Sequence, residues 1–225
     1  MSHNIGEKGT VMIEIQNLTK VFQEQTVLQN INATFDAGLI HGVIGKNGAG
    51  KTVLLRLLCG LMHPSKGQVI VDGKQLGKDV DFAPDAGIII ETPCFLPYLS
   101  GFQNLKELAS IRNIISKEEI AEAMEQVKLD PASRKHVGKY SLGMRQRLGI
   151  AQAIMERPRY LILDEPVNGL DTQGMEDVRE LLQKQKETGV TVILASHSME
   201  DIRILCDTVH RIQDASLIPC TTEFS

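Results

Sequence analysis

The sequence has no apolar run long enough to cross a membrane. Its longest apolar runs, such as residues 87–90, fall far short of the roughly 20 residues that a transmembrane helix requires. The first twelve residues carry charged and polar side chains without an apolar stretch, so we expect no signal peptide there. These absences predict a soluble protein, so any membrane-spanning part of its task would belong to another chain.

Metal-binding patterns and an excess of positive charge are also missing. The four cysteines lie far apart without a C-x-x-C pair, and the six histidines show no H-x-x-x-H spacing. We therefore expect no structural metal, and we interpret Cys59, Cys94, Cys206 and Cys220 as reduced thiols that act as small hydrophobic side chains. The net charge of -4 and the pI of about 5.9 give no electrostatic reason to expect nucleic acid, although an acidic chain can still carry a basic patch.

Strand-like and helix-like segments alternate along the chain, which predicts an α/β fold with a mostly parallel sheet. Residues 160–163 and 190–195 are short, β-branched and apolar, as buried parallel strands are. Residues 174–187 form a charged amphipathic pattern that ends at Gly189 and predicts a helix.

The two ends of the α/β pattern have characters of their own. Residues 11–16 alternate apolar and polar side chains, which favours a half-buried strand in an antiparallel N-terminal part. Residues from about 93 to 150 are predominantly helical, with a break at Asp130-Pro131. We expect a single domain over residues 1–225, with the helical stretch inserted in it as a subdomain.

A glycine-rich loop lies between a strand pattern and a helix pattern. Residues 45–52 spell G-x-x-x-x-G-K-[ST], after the mostly apolar residues 39–44 and before leucines at helical spacing. Backbone N–H groups and the helix N-terminus of such a P-loop cradle phosphate oxygens. Lys51 would reach the β- and γ-phosphates, and the Thr52 hydroxyl would bind Mg²⁺. The sequence thus predicts a P-loop NTPase core.

Acidic and basic side chains follow two other predicted strands. Asp164 and Glu165 come directly after residues 160–163, and His197 follows residues 190–195. Ligands of open α/β sheets bind at the carboxyl ends of the strands. Asp164 is therefore a candidate for holding Mg²⁺, Glu165 for orienting or deprotonating the attacking water, and His197 for a hydrogen bond to the γ-phosphate. A helix cap by the acidic pair and a structural histidine are the alternatives.

A second glycine-bearing helix start precedes the helical residues 145–155. Ser141 and Gly143 would present backbone N–H groups suited to phosphate. Routine capping of the helix by Ser141 is the other interpretation.

In their order along the chain, these motifs resemble the nucleotide-binding domain of ABC transporters. Residues 45–52 match its Walker A loop, and residues 161–165 match its Walker B strand. Residues 168–171 match the D-loop, His197 matches the switch histidine, and residues 140–144 occupy the signature position. The resemblance covers nearly the whole chain.

Further positions carry the resemblance into one subfamily. Phe22 falls where the family places the aromatic ring that stacks on adenine, with core packing as the alternative. Glu91 stands where the family has the Q-loop glutamine, and Leu142 and Met144 replace the first glycine and the glutamine of the signature. These departures resemble ATPases of bacitracin resistance and lantibiotic immunity. Members usually carry a further C-terminal segment, whereas this chain ends at Ser225, so a short member and a truncated chain both stay open.

The resemblance implies an Mg²⁺-dependent ATPase with ATP and Mg²⁺ as cofactors. It assigns catalysis to Lys51, Glu165 and His197, and metal binding to Thr52, Glu91 and Asp164. The nucleotide-binding residues that it implies are Phe22, Gly45, Lys46, Asn47, Gly48, Ala49, Gly50, Lys51, Thr52, Val53, Glu91, Ser141, Gly143 and Asp171.

The partners follow from the same resemblance. It implies a head-to-tail homodimer or pseudo-dimer with ATP between one chain's P-loop and the other's signature. Separate integral membrane permease subunits would contact the helical subdomain near Glu91 and place the chain at the cytoplasmic face of the cell membrane. The implied task is export of, or immunity to, a peptide antibiotic. A soluble ABC ATPase acting on ribosomes or DNA, a catalytically silent subunit and a P-loop kinase are the alternatives.

Overall fold

The computed structural model describes residues 11–220. The first ten residues, for which no signal peptide is predicted, and the last five lie outside this range. In chain order the elements are β1 (Val11–Phe22), β2 (Gln25–Asp36), β3 (Ile40–Gly45), α1 (Lys51–Leu58), β4 (Lys66–Val71), β5 (Lys74–Gln75), β6 (Ala86–Ile89), α2 (Gly101–Arg112), α3 (Lys117–Gln126), a 3₁₀ turn (Val137–Lys139), α4 (Leu142–Ile154), β7 (Tyr160–Asp164), α5 (Thr172–Glu187), β8 (Thr191–Ala195), α6 (Met199–Leu205), β9 (Thr208–Gln213) and β10 (Ser216–Cys220).

The described strands form two sheets. The larger has the order β10-β9-β3-β8-β7-β6 and is parallel except for the antiparallel pair β9–β10. The smaller has the order β2-β1-β4-β5 and is antiparallel throughout. The predicted α/β class, with a mostly parallel sheet and an antiparallel N-terminal part, is confirmed.

Two hydrophobic layers cover the faces of the larger sheet. Along β7, Tyr160 and Ile162 pack into the layer shared with α1 and the smaller sheet. Leu161 and Leu163 pack into the opposite layer with α4 and α5. Because both faces are covered, every residue of β7 and β8 is buried. This double burial explains why their sequences are almost continuously apolar.

Side-chain caps fix where the helices begin. The Ser141 hydroxyl accepts a hydrogen bond from Met144 N at 3.2 Å, so α4 begins at Leu142, three residues earlier than the sequence predicts. Helices α2, α3 and α4 lie between β6 and β7. Their grouping into a separate subdomain stays a prediction. Within residues 11–220, no helix is both long enough and apolar enough to cross a membrane.

The interpretation of the cysteines needs one correction. All four thiols are free, and Cys59 is buried in the core as expected. Cys94 is exposed, because it lies in the irregular loop after β6 rather than in a packed element. It therefore does not act as a small hydrophobic core residue.

Candidate functional site

The glycine-rich loop joins the end of β3 to the first turn of α1. Gly50 lies just before α1 with φ of 105°, and a Cβ there would come within 2.9 Å of Val27 Cγ1. A side chain at this position would be both strained and obstructed, so the loop requires glycine. Lys51 is only 8% exposed, and its Nζ donates to the Gly45 carbonyl oxygen at 2.9 Å. The ammonium group thus lies across the loop whose N–H groups are predicted to bind phosphate.

A hydroxyl and a carboxylate meet beside this loop. Thr52 lies in the first turn of α1, and its Oγ1 donates to Asp164 Oδ2, at the end of β7, at 2.5 Å. Burial raises the pKa of Asp164, the Thr52 hydrogen bond opposes this rise, and the charge of Glu165 adds to it. A cation here would offset the cost of burying the carboxylate. Two hard oxygen donors of this kind fit Mg²⁺.

Glu165 is fixed at its side chain by the segment that follows β8. Its Oε2 lies 2.8 Å from His197 Nδ1 and accepts from His197 N at 3.3 Å. Glu165 has φ of 49°, which is uncommon outside glycine. Because an ionised carboxylate can only accept, a hydrogen bond between the two groups requires a proton on Nδ1. Donation of that proton to a phosphate would therefore require release of Glu165.

Lys51, Thr52, Asp164 and Glu165 line one open cavity of about 710 Å³. Of the predicted catalytic, nucleotide and metal residues, ten line it: Phe22, Asn47, Gly48, Gly50, Lys51, Thr52, Val53, Glu91, Asp164 and Glu165. Phe22 is 40% exposed at the rim, which excludes packing in the core as its role. Lys20 Nζ lies over one face of the ring, 4.9 Å from its centroid, so the other face is available to stack on a flat aromatic ligand at the cavity mouth.

Glu91 lines the cavity but is held by a cation. It follows β6 with φ of 63°, and its Oε1 lies 2.7 Å from Arg56 Nη2 of α1. The pair is largely exposed, so it contributes little to stability. The carboxylate is thus paired with Arg56, while its charge still contributes to the raised pKa of Asp164, and its predicted part in metal binding stays a prediction.

Among the described residues 11–220, the other predicted nucleotide-binding residues do not line this cavity. These are Gly45, Lys46, Ala49, Ser141, Gly143 and Asp171, together with the catalytic candidate His197. Ser141 caps α4, and Asp171 Oδ1 caps α5 by accepting from Gly174 N at 2.9 Å. The structure thus supports the capping interpretation of Ser141, which still leaves the N–H groups at the start of α4 available to a ligand from another chain.

Some residues that line the cavity were not predicted from the sequence. They are Gln25, Val27, Thr92, Leu142, Gln146 and Asn168. Gln146 is the most unusual of them, because it is a polar side chain on the buried stripe of α4 that also carries Ile150 and Ala153. A polar residue at an apolar position of the helical period was the available signal.

The chain is similar to ATP-binding proteins of one transporter family. The family model described as ABC transporter matches residues 28–168. The ABC transporter ATP-binding protein YybJ of Bacillus subtilis is 47% identical over 196 residues, which cover 87% of this chain and 90% of the relative. The bacitracin transport ATP-binding protein BcrA of Enterococcus faecalis is 41% identical, over 92% of this chain and 68% of the relative. The lantibiotic transport ATP-binding protein SrtF of Streptococcus pyogenes is 35% identical, over 92% and 89%.

A solved structure shares the fold. The dimeric ATP-binding cassette MJ0796, in a post-hydrolysis state with ADP and Pi, superposes with a TM-score of 0.81 at 21% identity. The match covers 92% of this chain and 96% of that chain. The fold of residues 11–220 is therefore that of an ATP-binding cassette, as the resemblance of the motifs implies.

Proposed function

Since the chain belongs to the ABC transporter family as an ATP-binding subunit, we propose that it is an Mg²⁺-dependent ATPase that drives a membrane permease. The observation that carries this proposal is the convergence of Lys51, the Thr52–Asp164 pair and the Glu165–His197 pair at one edge of the sheet. Phosphoryl transfer needs a phosphate cradle, a metal position and a group that orients water. The cavity brings these three parts together, and His197 holds Glu165 from outside its wall.

Each side chain has a defined task in this proposal. The loop N–H groups and Lys51 bind the phosphates, and Phe22 stacks on the adenine ring. Thr52 and Asp164 hold Mg²⁺, which when bound neutralises charge on the β- and γ-phosphates. Glu165 orients and deprotonates the attacking water, while His197 fixes the direction of that carboxylate through the 2.8 Å contact.

The proposed metal role can be tested at Thr52. Thr52→Val keeps the shape of the side chain and removes the hydroxyl. Because a hydrogen bond or ligand contact to a charged group is worth about 1.5–3 kcal/mol, the Mg²⁺ concentration for half-maximal ATP turnover should rise roughly 10- to 10²-fold. Titration of turnover with Mg²⁺ at saturating ATP measures this shift.

Thr92→Val is the matched control, because Thr92 is exposed and lines the same cavity without contacting Asp164. Its Mg²⁺ requirement should equal that of the unmodified chain. If Thr52→Val had the same Mg²⁺ requirement as the unmodified chain, the Thr52 hydroxyl would not be a metal ligand. Turnover that persists in excess EDTA would contradict the Mg²⁺ dependence itself.

The proposed assembly is a head-to-tail dimer docked on permease subunits. The cavity is open to solvent, which leaves room for a second chain, and the N–H groups at the start of α4 beside Ser141 and Gly143 can donate to that chain's ATP. We place the permease contact at the helical stretch beside Glu91. Leu96 and Tyr98, in the loop that follows Glu91, are 44% and 64% exposed and offer apolar surface to such a partner.

The proposed cargo is a peptide antibiotic. It rests on the similarity to BcrA and SrtF, whose names state bacitracin and lantibiotic transport, and on Glu91 and the signature Y-S-L-G-M at residues 140–144. Cells that lose this chain should be inhibited by lower concentrations of bacitracin or of a lantibiotic, and the unmodified chain should restore resistance. A non-peptide antibiotic serves as control. Unchanged inhibitory concentrations for all such peptides would contradict this cargo class.

A further inference from the structure

Gln146 makes an unusual connection between α4 and the turn after β7. Its side chain is 6% exposed, and its Nε2 donates to the Pro166 carbonyl oxygen at 3.0 Å. The same Nε2 lies 3.4 Å from the Glu165 carbonyl oxygen. Burying an amide requires such partners, because an unpaired buried amide costs about 1–3 kcal/mol. The Gln146 side chain thus binds the backbone carbonyl groups of two consecutive residues, Glu165 and Pro166.

That backbone is held in a conformation that it would not adopt alone. Glu165 has φ of 49°, and a non-glycine residue in this region costs of order 1–3 kcal/mol unless its surroundings fix it. Three contacts do so here. Glu165 N donates to Ala195 O of β8 at 2.9 Å, Glu165 O accepts from Asn168 N at 3.1 Å, and Gln146 binds the same carbonyl region from α4.

The backbone angle decides where the carboxylate points. With this φ, Glu165 Oε2 reaches His197 Nδ1 at 2.8 Å and the side chain lines the cavity. A return to the common right-handed or extended region would turn the side chain away from this edge of the sheet. By binding this backbone, the Gln146 amide affects the direction of the Glu165 side chain without contacting its carboxylate.

Helix α4 also contacts the same turn near its own start. Gly169 has φ of 77°, and a Cβ there would come within 2.4 Å of Leu142 Cδ2. Gly143 also lies close to this turn, since a Cβ there would come within 3.2 Å of Gly169 O. The first turn of α4 and the segment after Glu165 thus form one packed unit, and Gln146 is its buried hydrogen-bonding member.

We propose that Gln146 is a positioning residue through which α4 fixes the backbone of Glu165, and hence the direction of the carboxylate that acts on water. This proposal rests on the proposed ATPase function for its kinetic consequence. The proposal adds a connection within one chain. The start of α4 is predicted to contact the ATP bound by the partner chain, and Gln146 connects the same helix to Glu165, the proposed general base for the chain's own ATP.

Gln146→Met tests the link. Methionine keeps the length of the side chain and the helix propensity, and it removes both N–H donors. Because misplacement of a catalytic group by about 1 Å can cost up to 10²-fold, kcat should fall about 10- to 10²-fold, while the dissociation constant for ATP stays within about 2-fold. Combined with Glu165→Gln, the substitution should cause no further loss in single-turnover rate, because both changes act on the same group.

Gln152→Met is the matched control. Gln152 lies on the same helix, is only half-buried and lines a different cavity, beside β6 and α2. Its kcat should equal that of the unmodified chain. An unchanged kcat in Gln146→Met, an equal loss of ATP affinity, or a further loss on top of Glu165→Gln would each overturn the positioning role.

A crystal structure of Gln146→Met separates this inference from the proposed function. We expect Glu165 to leave its positive φ and its Oε2 to move out of hydrogen-bonding distance of His197 Nδ1. A variant that keeps the 2.8 Å contact would overturn the inference even if its turnover were reduced. An unmodified chain that binds ATP without hydrolysing it would contradict the ATPase proposal, and the distance in the variant would still decide the role of Gln146.

Discussion

Glu165→Gln should lower ATP turnover about 10²- to 10⁴-fold and leave ATP binding intact. The amide has the shape of the carboxylate and can still accept from His197 N, which donates to Glu165 Oε2 at 3.3 Å in the structure. It has no basic oxygen, so it cannot take a proton from water. The loss should therefore appear in kcat. ATP turnover and the molar mass by light scattering, with and without ATP, are the measurements.

The mass measurement extends the test to the proposed dimer. A variant that binds ATP but hydrolyses it slowly should accumulate the ATP-bound dimer, seen as a doubling of mass. Glu176→Gln is the matched control, because Glu176 is exposed on α5 outside the cavity. Normal turnover in Glu165→Gln would exclude Glu165 as the base. ATP binding without a change of mass would assign dimerisation to the membrane subunits.

The parts of the fold that could be predicted are those whose sequence carries one dominant physical signal. Residues 160–163 and 190–195 are apolar because both faces of the sheet are covered, and the structure has β7 and β8 there. The predicted helix at residues 174–187 is α5, which begins two residues earlier because Asp171 caps it. The predicted start of a helix differs from the observed start where a capping side chain, rather than the apolar period, sets the boundary.

The C-terminal hairpin was missed for a different reason. Strands β9 and β10 pair antiparallel around Asp214 and Ala215, whose φ values are 48° and 61°. Two-residue turns of this kind normally show glycine or asparagine, and alanine in the left-handed region is rare. Pro219 in β10 also argues against a strand interior, although it is tolerated here because β10 lies at the edge of the sheet. The sequence therefore carries almost no hairpin signal.

The site, too, has contacts that the sequence could predict and contacts that it could not. Thr52 and Asp164 are 112 residues apart, yet their meeting was predictable because both follow from elements that reach one edge of a parallel sheet. The Arg56–Glu91 ion pair was not predictable. Arg56 belongs to the exposed face of α1, and only the path of the loop after β6 brings Glu91 within 2.7 Å of it. Gln146 was missed because its partners are backbone carbonyls. Its polar side chain at an apolar position of α4 marks the position as unusual, but residue type does not show which groups it binds.

Lys51→Met should weaken ATP binding by roughly 10²-fold or more, the second large effect that the site predicts. Charge-assisted hydrogen bonds contribute about 1.5–3 kcal/mol each, and the ammonium group is expected to make two with the β- and γ-phosphates. Methionine retains the buried apolar stem, so the helix start should persist. Equilibrium binding of fluorescent ATP, ADP and AMP measures the change, which should be large for ATP and within about 2-fold for AMP, because AMP lacks both phosphates.

The loop is predicted to bind phosphate through backbone N–H groups, and Lys46→Met keeps the N–H group of this nucleotide-binding position. The substitution therefore distinguishes the local role of the Lys51 ammonium group from the general attraction of a positive loop for an anion. Lys46 lies in the same loop but is exposed, whereas Lys51 is 8% exposed with its Nζ 2.9 Å from Gly45 O. Loss of either lysine changes the net charge equally. If ATP bound through the overall field, both substitutions would weaken it alike and raised salt would remove the difference. If affinity falls only in the Lys51 variant, and only for nucleotides that have a β-phosphate, the Lys51 ammonium group must contact the phosphate chain directly.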